Sequence, residues 1–142
     1  MERTIRTFKY RLRSPIGGLA ADLSATARLS LPRERGIQIY RRVWLTLPPD
    51  GMHWRDAAWL CFGISLHSEN LTLKIPDGLT VEVAALKFPL SDYSSEVAAL
   101  AMDGWLREEF DLPDVGVSAK FTGGEMPYSF HWGGVDEPFS CG

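Results

Sequence analysis

Between residues 7 and 13, Phe8, Tyr10 and Leu12 alternate with Thr7, Lys9, Arg11 and Arg13. That period of two belongs to a strand with one buried face. The next run repeats it at greater length. Leu19, Ala21, Leu23, Ala25, Ala27, Leu29 and Leu31 share one face, and Ala20, Asp22, Ser24, Thr26, Arg28 and Ser30 share the other. Ser14-Pro15-Ile16-Gly17-Gly18 supplies the turn of a hairpin between the two strands. A third strand is predicted over residues 37–47, with Ile37, Ile39, Val43, Leu45 and Leu47 inward and Arg41 as an exception. Pro48-Pro49-Asp50-Gly51 ends it, because proline donates no ladder hydrogen bond and Asp-Gly favours a turn.

Farther along, Trp54, Ala57, Ala58, Cys61 and Phe62 approximate a helical face over residues 53–65, although Gly63 and the short length leave a strand as the alternative. Residues 71–75 and 79–88 read as two strands around Pro76-Asp77-Gly78. The second is apolar on both faces apart from Glu82, so it should be central. A buried Glu82 would need a cationic partner, and Arg41, Arg42 or another cross-strand base is expected there. A helix is predicted over residues 94–110, with Asp92 or Ser94 as cap and Glu96 in the first turn. Val97, Leu100, Ala101, Gly104 and Trp105 form its packing face, and Asp103, Arg107 and Glu108 look outward. Gly104, costly inside a helix, implies close approach to the sheet or to a bulky neighbour such as Trp59. Strands over 115–121 and 128–132 flank a Gly123-Gly124 loop, and the chain from about Gly133 holds too few apolar residues to pack firmly.

These elements predict one α+β domain over residues 1–142, with two helices covering one face of a largely antiparallel sheet. The 142 residues are 45% hydrophobic and 23% charged, enough to bury a core without disulfides or metal. Cys61 lies in an apolar run and Cys141 is penultimate, which suits a reducing, cytoplasmic setting better than a disulfide. Neither a signal peptide nor a membrane span is visible. The Asn70-Leu71-Thr72 sequon is then not expected to be glycosylated.

Few motifs carry chemistry. His53, His67 and His131 fall in separate segments, and no His or Cys pair has zinc-site spacing, so neither metal nor other cofactor is expected. Cys61 and His67 are not spaced as one helix face, which argues for a core cysteine over a nucleophile. No phosphate-binding glycine loop, dinucleotide fingerprint or nucleophile elbow occurs.

Charge changes the picture more. The net charge of -3 conceals 10 basic against 3 acidic residues in positions 1–49, and 5 against 15 in the remainder. Either the halves interleave and compensate, or one face attracts anions and another cations. Lys9, Arg11 and Arg13 form a positive row on one strand face, with Tyr10 and Trp44 as aromatics to border it. With Arg41 and Arg42 they are the candidate RNA contacts. Glu108, Glu109, Asp111 and Asp114 crowd one helix end, a solvated face or a surface for a basic protein partner, as in an acidic inhibitor or immunity protein.

Leu79-Thr80-Val81-Glu82-Val83-Ala84-Ala85-Leu86-Lys87-Phe88 followed by Asp92-Tyr93-Ser94-Ser95-Glu96-Val97-Ala98 resembles domain IV of elongation factor G, where a strand leads into an aspartate-serine-serine-glutamate helix start. The resemblance implies an α+β fold with a left-handed βαβ crossover, no cofactor, no catalysis, and a partner in the ribosome. The leading expectation is therefore a non-catalytic module that contacts RNA or the ribosome; a protein-interaction module is the alternative, and an enzyme stands third.

Overall fold

The chain enters the sheet through β1 (Arg6–Ser14) and returns through β2 (Gly17–Arg28), paired antiparallel with Ser14 opposite Gly17. The computed structural model describes residues 4–32 and 35–136. Along β2 every residue from Leu19 to Ala27 on the apolar face is buried, as the alternation requires, whereas Leu29 and Leu31 lie beyond the strand and are exposed.

The expected strand over 37–47 is two strands. β3 (Ile37–Tyr40) and β4 (Val43–Thr46) form a hairpin, with Tyr40 opposite Val43 and Arg41-Arg42 as its turn. Arg41 has φ +48, in the left-handed region that non-glycine residues seldom enter. The polar residue that interrupts the apolar pattern is therefore where the chain reverses. α1 (Trp54–Ser65) follows, with His53 as its cap: Nδ1 accepts from the Arg55 N–H at 3.1 Å. Its buried stripe runs through Asp56, Ala57, Trp59, Leu60, Gly63 and Ile64, which leaves Trp54 exposed.

Residues 71–75, expected as a strand, belong instead to α2 (Ser68–Lys74) and its C-cap. The pair α1 and α2 forms the crossover from β4 to the parallel strand β5 (Leu79–Lys87). β5 also pairs antiparallel with β2, so the five-stranded order is β1-β2-β5-β4-β3, with β5 central as expected. The sheet is mixed, its β4–β5 pair being the parallel one. Glu82 on β5 does meet a cation. Its partner is Arg28 of β2, at 3.3 Å, rather than Arg41 or Arg42.

A single 3-10 turn over Leu90–Asp92 leads to α3 (Glu96–Phe110). Ser95 holds the cap position with no side-chain hydrogen bond, so neither Asp92 nor Ser94 caps the helix. Tyr93 nearby stacks on Phe88, ring centroids 3.5 Å apart, and donates its hydroxyl to buried Asp56 of α1 at 2.6 Å. α3 is buried along residues 97–106, because β1 and β2 cover one side and α1 another. Gly63 permits the α1 approach: a Cβ there would lie 2.9 Å from the Ala99 carbonyl oxygen and from the Met102 Cβ. Gly104 meets the sheet as expected, through Phe8 of β1 rather than Trp59.

After α3, β6 (Val117–Phe121) and β7 (Tyr128–Trp132) form a separate antiparallel hairpin. Trp132 is its buried end, packed against Trp59 and Phe62 of α1. Val135 donates back to the Trp132 carbonyl, and residues 137–142, with most of the tail read as loosely packed, lie outside the described residues. The architecture is thus α+β, with three α-helices among the described residues rather than two. None of these helices is long and apolar enough to cross a membrane.

Candidate nucleic-acid interface

Pairing fixes which side chains share the sheet face opposite the helices. On β1, Phe8, Tyr10 and Leu12 pack toward the core, so Lys9, Arg11 and Arg13 project together from the other side. Lys9 stands opposite Asp22, and Asp22 opposite Lys87 of β5. Directly opposed residues in an antiparallel pair place their side chains on the same face. The result is a cross-strand row of cation, anion and cation, continued along β1 by Arg11 and Arg13.

One pair of charges cancels here. Arg11 Nη2 lies 2.8 Å from Asp22 Oδ1. Lys9, Arg13 and Lys87 form no ion pair among the described residues and are exposed. A recess of about 250 Å3 opens between Arg11, Asp22, Lys87, Phe88 and Pro89, with an aromatic ring beside the cations.

Toward the opposite edge the same face is covered. Trp44 of β4 shares this side, and Gly36 is wedged against it: a Cβ on Gly36 would lie 3.1 Å from Pro32 and 3.2 Å from the Trp44 ring. Gly36, backed by Pro32, therefore covers Trp44, which lies three strands from β1 and cannot border its row. Tyr10 cannot either, since its ring faces α3. Burial, aided by the Asp103 carboxylate, pushes its phenol up to about 12.

That shift has a measurable consequence with a definite sign. The folded chain retains the Tyr10 proton at a pH where the unfolded chain has released it, so the contribution is whole below about pH 10 and declines as pH rises toward 12. Denaturant unfolding at about pH 9 and about pH 11 should show native protein losing more stability than Tyr10→Phe between those points. Equal losses would mean that the phenol is solvated in the fold.

Arg41 and Arg42 are not brought to this row. They occupy the β3–β4 turn, and three strand spacings of about 4.8 Å separate β1 from β4. Arg41 lies over the Tyr40 ring, and Arg42 donates to the Asp77 carbonyl at 3.1 Å. The acidic group is also divided. Glu109 is held by Arg6 at 2.9 Å, and Asp114 Oδ1 accepts from the Gly116 N–H at 2.7 Å. Glu108 is exposed, 3.6 Å from Arg6, and Asp111 ends α3 in the left-handed conformation at φ +51.

The polar group that the periodicity misplaced is internal. Asp103 does not look outward; it is buried, with Oδ1 2.7 Å from His67 Nε2 and Oδ2 3.0 Å from Arg107 Nη2. This arrangement engages His67 away from Cys61, whose thiol burial pushes up to about 11, far from thiolate chemistry at neutral pH. Among the described residues no group of three or more His, Cys, Asp or Glu side chains is placed to hold a metal ion. Comparison with protein-family models, curated proteins and solved structures finds no match to this chain.

Proposed function

We propose that the chain is a non-catalytic RNA-binding module, and that its contact surface is the uncovered β1–β2–β5 face. The observation that carries this reading is the set Lys9, Arg13 and Lys87, three exposed cations without ion pairs on one sheet face. Such a row neutralises backbone phosphates, which positions a nucleic acid without reading its sequence. Phe88 lines the recess next to those charges, with one ring face taken by Tyr93. The resemblance to elongation factor G domain IV over β5 and the start of α3 supports the ribosome as the setting. Arg41 and Arg42 are left outside the contact, and the acidic end of α3 is a weaker partner surface because Glu109 and Asp114 already have intramolecular partners.

Labelled RNA titrated at about 50 and about 200 mM salt should lose affinity roughly 20-fold if three phosphates are neutralised. Lys9→Ala/Arg13→Ala/Lys87→Ala should abolish most of that salt dependence, and Arg41→Ala/Arg42→Ala should leave it intact. Absence of binding at low salt, or equal binding by the triple variant, would sink the RNA reading.

A further inference from the structure

Where the β1–β2 turn, the 91–96 segment and the β6–β7 loop meet, the surface forms a groove of about 380 Å3. Its lining is apolar in the centre. Leu19 is buried, Tyr128 and Phe130 are half-buried, and Ile16 and Met126 stand 62% and 79% exposed. Two large apolar side chains this far into water beside one apolar groove form a contiguous patch of the kind that interaction sites use. The walls are tied together, since Ser14 Oγ and Tyr128 Oη are hydrogen-bonded at 2.7 Å.

Charge identifies the occupant. Asp92, Glu96 and Glu125 line the groove, none makes an ion pair among the described residues, and no lysine or arginine accompanies them. Three unneutralised carboxylates repel RNA, an anionic lipid surface and the same groove of a second copy. They attract cations, and the apolar floor accepts one or two aliphatic side chains.

We propose that this groove docks a short basic protein segment, with a leucine-like anchor in the centre and Lys or Arg on both sides. The anchor supplies affinity by burial beside Ile16 and Met126, and the carboxylates supply orientation and discrimination against acidic segments. The groove borders the β1 cations, since its Gly18 pairs with Arg13 and its Tyr93 stacks on Phe88, so one chain carries an anion-binding face beside a cation-binding groove. The inference does not rest on the RNA reading.

A fluorescent peptide Lys-Lys-Leu-Leu-Arg-Lys provides the probe, read by anisotropy against the full chain. Binding should weaken by about tenfold or more in Ile16→Ser/Met126→Ser, and equally in Asp92→Asn/Glu96→Gln/Glu125→Gln. Every substituted side chain is exposed or half-buried, and circular dichroism with a melting curve checks that both variants fold. The same peptide with serine in place of leucine should bind at least tenfold more weakly, and one with glutamate in place of its basic residues should not bind. RNA affinity should be unchanged in Ile16→Ser/Met126→Ser and should not fall in the carboxylate variant, which separates this groove from the sheet face. No binding of the probe to native protein, equal binding by either variant, or equal binding of the serine peptide would overturn the proposal. Appearance of a dimer that Ile16→Ser/Met126→Ser abolishes would overturn it in favour of a second copy.

Discussion

Gly104→Ala is expected to destabilise the protein by about 2 kcal/mol, although alanine favours a helix over glycine by about 1 kcal/mol. The added Cβ would lie 2.2, 2.3 and 2.8 Å from three atoms of the Phe8 ring. No contact at those distances persists, so the ring must leave its place over α3 or the helix must move from β1. Either response opens packing in a core at crystalline density. For a chain of this length the loss corresponds to roughly 6 °C in Tm. A Phe8→Leu background should reduce the penalty of Gly104→Ala, because the clash partner is then smaller. A double-mutant cycle with no coupling between the two positions, or a higher Tm for Gly104→Ala, would show that the phenyl ring swings freely into the cleft beside β6.

What the sequence made legible was whatever a local pattern determines. β1, β2 and β5 follow from their alternation or apolar character, and α3 from its long apolar face, so three of the main sheet's five strands are set by local pattern. The β3–β4 hairpin was hidden because its turn is Arg41-Arg42, with no glycine, asparagine or proline to signal reversal. α2 was hidden for the opposite reason: Leu71-Thr72-Leu73-Lys74-Ile75 does alternate, and seven residues are too few for a helical period to declare itself. Tertiary contacts decide that segment. Leu71 is buried in the core, and Lys74 Nζ donates to the carbonyls of Phe110 and Asp111 at the end of α3.

The candidate surfaces divide along the same line. That Lys9, Arg11 and Arg13 share a face could be read from spacing, because one strand suffices to align them. That Lys87 joins them and that Arg41 and Arg42 do not depends on strand order, which spacing along one strand does not contain. The groove between Ile16, Glu96 and Met126 is assembled from three distant stretches and left no local signature. Asp103 was misplaced because a helix covered on several sides has no solvent face at its centre, so polarity there signals a buried partner rather than exposure.

That buried partner gives the second large effect. Asp103→Ala is expected to cost about 3 kcal/mol, the range for breaking a buried ionic or charge-assisted pair by removing one member. Among the described residues Asp103 is the sole hydrogen-bond partner of the His67 ring, whose Nδ1 is already buried without one. Its loss leaves both ring nitrogens without a protein partner in a site closed to water, and releases the Arg107 guanidinium from Oδ2. The loss should not be additive with His67→Leu, because replacing both partners by apolar groups removes the unsatisfied atoms as well as the bond. Asp103→Leu/His67→Leu should therefore fall within about 1 kcal/mol of the native protein, nearer to it than Asp103→Ala. Urea unfolding of the native chain, Asp103→Leu, His67→Leu and the double variant measures all four corners, with Asp103→Ala beside them. A loss below about 1 kcal/mol for Asp103→Ala would mean that water reaches the imidazole and that the cluster is not closed in the folded state.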